Sequence, residues 1–221
     1  MANAFSGDAV KILCDTQRSD EWFAAKRSRI SASDARYCLS RKGTKGRRLY
    51  VEKIADDLEG LPDFDDHDVK PWFVNGVYYE SWARGWYSFQ KDVDVIETGF
   101  VVHDDYDWIG CSPDGLVGEG GLVEIKYRSF LHTFEQHAQT GKLASVNPQL
   151  QTQMFVCNRQ WCDYVNYWRS DDHELERGHI QRVHRDQAYI DNTLLPAFLT
   201  LWQDVRKEVE RRKLQRARAM V

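Results

Sequence analysis

Cys111-Ser-Pro-Asp-Gly-Leu-Val-Gly-Glu-Gly-Gly-Leu-Val-Glu-Ile-Lys126 is the stretch around which the rest of this 221-residue chain can be organised. Proline pre-sets φ at the second position of a tight turn and glycine relaxes the last, so Ser112-Pro-Asp-Gly115 reads as a rigid bend carrying Asp114. After the glycines, Leu122 to Lys126 has the β-branched, alternating character of a strand, in which side chains two apart share a face. Glu124 and Lys126 are therefore expected to point the same way.

A carboxylate on a turn, a second on the adjoining strand and a lysine two residues on are the parts that metal-dependent phosphodiester cleavage needs. A hard cation such as Mg²⁺ takes oxygen ligands and can be held beside a phosphate by two or three carboxylates. It makes hydroxide available near neutral pH. A protonated lysine cannot ligate the ion, but it can orient water and offset charge growing on the phosphate. Taken singly, Ser-Pro-Asp-Gly is a serviceable hairpin turn and Glu-x-Lys a common solvated pair. Joined by nine intervening residues between apolar neighbours, they point to a nuclease-type site.

This arrangement resembles the PD-(D/E)xK nuclease motif. More closely, Cys-Ser-Pro-Asp-Gly-Leu followed by a glycine-rich link and Leu-Val-Glu-Ile-Lys resembles the bacteriophage lambda exonuclease family, the YqaJ-like viral recombinases. The resemblance implies Asp114, Glu124 and the backbone carbonyl of Ile125 as metal ligands and Lys126 as a catalytic residue. It also implies two Mg²⁺ ions per site, with Mn²⁺ able to substitute.

Composition bounds the rest. The 42% hydrophobic and 29% charged residues are ordinary for a globular protein, and the length suits a single domain over residues 1–221. A formal charge of −4 argues against a surface coated in phosphate contacts, so any DNA groove must be local. Five cysteines with no CxxC pairing read as reduced thiols. No run is long and apolar enough for a membrane span, and no basic-then-apolar leader opens the chain, so a cytoplasmic location is expected, without membrane contact.

Ser19-Asp-Glu21 reads as a helix start, with Trp22, Phe23 and Ala25 on its apolar side. Lys26-Arg-Ser-Arg29 follows, then Ile30-Ser-Ala-Ser33, where Ser33 can cap a second short helix. Cations before a helix N-terminus suit a phosphate pocket, or simply a solvated basic turn. Trp22, a basic residue four positions on and Ile-Ser-Ala-Ser33 match the family's spacing, and the resemblance implies that the basic residue and serine grip a terminal 5′-phosphate. Lysine stands here where arginine is usual, which leaves Lys26, Arg27 and Arg29 all open for that role.

Arg41 to Arg48 holds five cations and two glycines and reads as a basic loop that tracks a backbone or is simply solvated. A helix is expected from about Leu49 to Leu58, then an acidic segment with Asp56, Asp57, Glu59, Asp63, Asp65, Asp66 and Asp68 facing away from DNA. Asn75 is a candidate cap for a helix reaching Phe89, with Tyr79, Ala83, Trp86 and Tyr87 on its apolar stripe and Glu80 at the margin. Gly76-x-x-Tyr-Glu-x-x-Ala-Arg84 matches a family helix motif, and on that resemblance Glu80 joins the metal site. Strands are expected over Val93–Val102 and Trp108–Cys111, and a helix over Phe130–Gly141. Another helix begins at Pro148, where Gln149 and Gln153 share a face. The family's helix implies Gln149 as a supporting catalytic residue. Cys162–Trp168 and His179–His184 alternate as a hairpin, and a long helix closes the chain from Gln187 to Arg218 despite Pro196, with Ile190, Leu194, Phe198, Leu201, Trp202, Val205 and Val209 at a three-to-four spacing. Its end, seven Lys/Arg against two Glu from Arg206 to Arg218, reads as a solvated tail or a DNA contact.

Together these predict an α/β protein with a restriction-endonuclease-like core: a central mixed β-sheet flanked by helices, an N-terminal helical elaboration and a long C-terminal helix. The resemblance implies a 5′-to-3′ exonuclease on linear double-stranded DNA, working as a homotrimer with a single-strand DNA annealing protein in a bacterial or phage-infected cell. An endonuclease of the same superfamily, or a catalytically silent DNA-binding module, are the competing readings.

Overall fold

The computed structural model describes residues 10–61, 71–141 and 143–219. In chain order the elements are β1 (Lys11–Cys14), α1 (Asp20–Lys26), β2 (Ile30–Ser31), a 3₁₀ turn (Ala32–Asp34), α2 (Ala35–Leu39), α3 (Lys45–Leu58) and α4 (Pro71–Lys91). Then come β3 (Val95–Ile96), β4 (Phe100–Val102), β5 (Ile109–Cys111), β6 (Gly115–Val117), β7 (Gly121–Tyr127), α5 (Leu131–Thr140) and α6 (Asn147–Val156). β8 (Trp161–Arg169), β9 (Glu176–His184), α7 (Gln187–Tyr189), a π-helical turn (Ile190–Leu194) and α8 (Leu195–Ala219) complete the chain.

The strands form two sheets, ordered β1-β4-β5-β2 and β3-β6-β7-β8-β9. Both are mixed, because β2 runs parallel to β5 and β7 parallel to β8 while the other pairings are antiparallel. The larger sheet is covered on both faces. Leu116, Leu122, Cys162 and Tyr164 pack into the cluster shared with Leu150 and Met154 of α6 and Phe198 of α8. Val117, Val123, Ile125, Val165 and Tyr167 face Ala83 and Tyr87 of α4. Alternation along β7 thus sends successive residues into different apolar layers, and the strand is buried from Gly121 to Ile125.

Ser112-Pro113-Asp114 is not the turn of a hairpin. It carries the chain from β5 in one sheet to β6 in the other, so Asp114 stands at the junction of the two. The hairpin is one step later, between β6 and β7, with Gly118 at its turn in the left-handed region at φ 53°. Gly115 is needed for space, since a Cβ there would meet Val95 Cγ1 at 2.2 Å.

Several helix limits differ from expectation. α4 starts at Pro71, so position 75 lies inside the helix and not at its N-cap. α3 starts at Lys45, four residues before the expected Leu49, and Thr44 takes the N-cap position. That draws Arg47 out of the expected basic loop: it is 4% exposed, with Nη1 donating to Cys38 O at 2.7 Å and Nη2 to Asp204 Oδ2 at 2.8 Å. The closing helix keeps its predicted stripe, with Ile190, Leu194, Phe198, Leu201 and Val205 buried. It passes Pro196 by means of the π turn just before it, because proline offers no N–H to the preceding turn and widening that turn absorbs the misfit. The basic end of α8 is solvated as expected, exposed at every residue from 211 to 219 but Arg212, and it is also braced, with Arg212 paired to Asp56, Glu59 and Glu208, and Arg216 to Glu59. Asp63, Asp65, Asp66 and Asp68 lie outside the described residues.

Candidate active site

Strand alternation turns Glu124 toward α6, where it is 2% exposed. Such a buried carboxylate needs partners on both oxygens. Gln149 Nε2 donates to Oε1 at 2.7 Å and Gln153 Nε2 to Oε2 at 2.7 Å; one helical turn separates the two amides, so α6 grips the carboxylate from one face. Lys126 Nζ adds a third donor, 2.5 Å from Oε1. The lysine side chain retains 37% exposure against 3% for Glu124, so the ion pair leads from the interior to the surface.

Asp114 meets the same strand through its backbone. Its Oδ2 accepts from Ile125 N at 2.6 Å, extending the ladder beyond the Gly115–Val123 pair at which β6 begins. The N–H and C=O of a strand residue point to the same edge, so the Ile125 carbonyl also faces Asp114. In the β6–β7 register the position opposite Ile125 is Pro113, which has no N–H to offer that carbonyl. Burial pushes the Asp114 carboxyl well above its usual range, and the nearby charges of Glu124 and Glu80 push further, opposed by Lys126 and the Ile125 N–H. Burial also works against charge on Lys126, but the carboxylates of Glu124 and Asp114 outweigh it and hold the ammonium more tightly protonated than a free lysine.

Glu80 lies within electrostatic range, yet its oxygens are engaged elsewhere. Arg84 Nη2 donates to Oε1 and Arg18 Nη2 to Oε2, both at 2.7 Å. Arg84 also reaches the Asp114 carbonyl through Nε at 2.9 Å and Glu97 through Nη1 at 2.5 Å. Among the described residues no group of three or more His, Cys, Asp and Glu side chains converges to hold a metal ion. The donor set nevertheless suits a hard divalent cation: two adjacent carboxylates and a backbone carbonyl, all oxygen, with the negative charge around Asp114 incompletely offset. Glu80 in this geometry is a neighbouring charge tied down by arginines.

The residues expected at the 5′-phosphate separate. Arg29 donates to the carbonyls of Asp107 at 2.8 Å, Ala25 at 2.5 Å and Arg27 at 3.4 Å. Arg27 lies against Asp57 at 3.4 Å and donates to Leu61 O at 3.2 Å. Among the described residues no protein oxygen bonds the Lys26 ammonium, which lies 4.9 Å from the Trp22 ring centroid. Burial lowers its pKa, Lys53 lowers it further and Asp34 opposes both. Ser33 is exposed and shares a 3.2 Å contact with Ser31 Oγ. It does not cap α2, whose N-cap position is Asp34, because the 3₁₀ turn puts Ser33 one residue too early. Ser19, by contrast, caps α1 through Trp22 N.

Sequence reasoning passed over Gln153, Arg84, Arg18 and Gln17. The signal for Gln153 was its place four residues after Gln149. Arg84 was visible inside the helix motif but without a role. Nothing local marks Arg18 or Gln17, whose partners are 62 to 96 residues away.

Known proteins resemble this chain in domain family and in fold. A model of the YqaJ-like viral recombinase domain matches residues 21–160, a span that holds Glu80, Asp114, Glu124, Lys126, Gln149 and Gln153 but not Gln17 or Arg18. An alkaline exonuclease from Laribacter hongkongensis superposes with TM-score 0.79 at 29% identity, covering 91% of this chain and all of that one. Its complex with dAMP gives 0.78 at 28% identity, with the same coverage. A phage-related exonuclease from Haemophilus somnus shares the fold at TM-score 0.66 and 14% identity, over 83% of this chain and 96% of that one. In sequence, an uncharacterized protein of Acanthamoeba polyphaga mimivirus is 24% identical over 163 residues, 67% of this chain but only 28% of its own length. With the domain model spanning more than half of its residues, this chain belongs to the YqaJ-like viral recombinase family.

Proposed function

We propose that the chain is a Mg²⁺-dependent deoxyribonuclease of the PD-(D/E)xK type, which degrades one strand of linear double-stranded DNA from its 5′ end. It releases 5′-mononucleotides and leaves a 3′ single strand for recombination. The observation that carries this reading is Glu124, a buried carboxylate gripped on both oxygens by Gln149 and Gln153, sharing Lys126 and adjoining Asp114. A structural ion pair has no use for a second, strongly disfavoured carboxylate beside it. The Laribacter protein is an alkaline exonuclease, which supports the same chemistry here.

Asp114, Glu124 and the Ile125 carbonyl would hold the divalent ions, with Glu80 bearing on the site through Arg84. When bound, Mg²⁺ would supply Lewis acidity at the scissile phosphate and make hydroxide available near neutral pH. The glutamines fix the plane of Glu124 so that its lone pairs stay aimed. Lys126, kept cationic by its carboxylate neighbours, orients the attacking water and offsets charge on the phosphate. Lys26 with Ser33 receives the 5′-phosphate, since Arg27 and Arg29 are spent on protein oxygens. Assembly as a homotrimer and work beside a single-strand annealing protein, in a bacterial or phage-infected cytoplasm, complete the reading. Among the described residues no helix is long and apolar enough to cross a membrane.

Digestion of end-labelled linear duplex and of closed circular DNA, with Mg²⁺ and with chelator, is the test. Metal-dependent release of mononucleotides from 5′ ends with the circle intact is expected. Cleavage of the circle would replace this reading with an endonuclease. No release with either Mg²⁺ or Mn²⁺ would leave a DNA-binding module. Light scattering tests assembly against the 25.9 kDa chain mass.

A further inference from the structure

α1 and the segment leading into it are tied to the catalytic turn at two points and to α4 at a third. Gln17 Nε2 donates to Pro113 O at 3.0 Å, Arg18 to Glu80 at 2.7 Å, and the Trp22 indole N–H to Ser112 Oγ at 2.7 Å. α1 itself buries no residue. It is flanked by two non-glycine residues in the left-handed region, Arg18 at φ 65° and Ser28 at φ 62°. Such conformations persist only where surrounding contacts over-determine them. Side-chain ties, not core packing, therefore set where this helix sits.

Trp22 is the point at which those ties meet the end-recognising cation. Lys26 stands four residues on, about 6 Å along the helix axis, with its ammonium over the indole. On the other side the indole N–H holds Ser112, two residues before Asp114 in a connection that Pro113 stiffens.

Resting on the reading of Lys26 as the phosphate-facing residue, we propose that Trp22 is a positioning residue coupling an anion seated at Lys26 to the aim of Asp114. A planar, rigid side chain that touches both groups transmits small shifts between them. A phosphate drawing Lys26 outward moves the indole edge, and with it the turn that presents Asp114. Misplacing a reacting group by an ångström costs on the order of a hundredfold in rate, so small coupled shifts are enough.

The test compares single-turnover rates on matched duplexes with 5′-phosphoryl and 5′-hydroxyl ends, at saturating enzyme. Trp22→Phe keeps a ring beneath Lys26 but removes the N–H, and Ser112→Ala removes the acceptor. Each should reduce the phosphoryl-to-hydroxyl rate ratio by roughly tenfold. The enzyme concentration giving half-maximal rate on the phosphorylated end should change by less than about threefold. The double variant should lower the ratio no further than either single change. Equal slowing on both ends, leaving the ratio intact, is what a merely structural tryptophan would give and would overturn the coupling. Wild-type enzyme that digests both ends equally, or a ratio unmoved by Lys26→Ala, would instead remove the end-phosphate reading, and the coupling with it.

Discussion

Replacing Gln153 by leucine should damage catalysis while leaving stability nearly unchanged. Gln153 is 1% exposed; its Nε2 donates to Glu124 Oε2 at 2.7 Å, and its Oε1 finds no protein donor among the described residues. Loss of a hydrogen bond to a charged group costs about 1.5–3 kcal/mol, while relief of a buried unpartnered oxygen returns about 1–3 kcal/mol. The two nearly cancel. For a chain of this size a residue of about 1 kcal/mol moves the melting midpoint by only about 2–4 °C. Catalysis has no such compensation, because no other donor reaches Oε2 among the described residues, whereas Oε1 keeps Lys126 when Gln149 is lost. Removing a group that orients a metal ligand typically costs about 10–100-fold. Gln153→Leu should fall in that range and Gln149→Leu below it. Single-turnover digestion at saturating Mg²⁺, beside thermal melts, reads both quantities. If Gln149→Leu is the more damaging variant, or Gln153→Leu melts more than about 8 °C lower, the asymmetric grip on Glu124 is wrong.

Asp114→Ala should abolish cleavage and leave the fold intact, which near-normal turnover with Mg²⁺ would contradict. Lys126→Ala should slow the chemical step by about two to four orders of magnitude at unchanged duplex affinity; a loss confined to affinity would count against its role. The C-terminal turns of α8 should loosen in acid. Hydrogen bonds from Arg211 and Arg212, set against burial, hold the Glu208 carboxyl down at about 2, against its ordinary 4.5. A depressed carboxylate contributes stability above its unfolded pKa that is lost as pH falls toward the folded one. Hydrogen exchange at the end of α8 should therefore rise between pH 4.5 and about 2, and Arg212→Leu should flatten that rise.

The parts legible in the sequence were those whose causes are local. Period-two alternation set the facing of Glu124 and Lys126, and a three-to-four spacing drew the buried stripe of α8 through Pro196. What stayed hidden depends on who the neighbours are. Ser112-Pro-Asp-Gly115 has the chemistry of a hairpin turn, yet here it bridges two sheets, and Gly115 answers to Val95 twenty residues upstream rather than to the turn. Arg47 reads as one cation in a loop of five until Asp204, 157 positions away, turns it inward. Ser33 has the right chemistry for a cap, but the intervening 3₁₀ turn shifts the helix start to Asp34. Gln153 was visible as half of a pair, but its partner oxygen could be assigned only once β7 lay against α6.

The net charge of −4 and a polyanionic substrate are reconciled by where the two kinds of cation stand. Many of the arginines are braces: Arg29 on three carbonyls, Arg47 on Cys38 and Asp204, Arg182 in a fork on Asp163, and Arg212 across Asp56, Glu59 and Glu208. A planar, permanently charged fork suits fixed carboxylates and carbonyls, whereas a compact ammonium can follow a moving phosphate. The cations left facing the proposed chemistry, Lys26 and Lys126, are lysines. Much of the positive charge is thus used to hold the scaffold, and a net charge of −4 gives a single chain little overall attraction for phosphates spread along a duplex. On the proposed reading, retention of DNA must come from geometry, by pooling these few contacts around an enclosed duplex, and each step must rely on Lys26 and Asp114 acting in register.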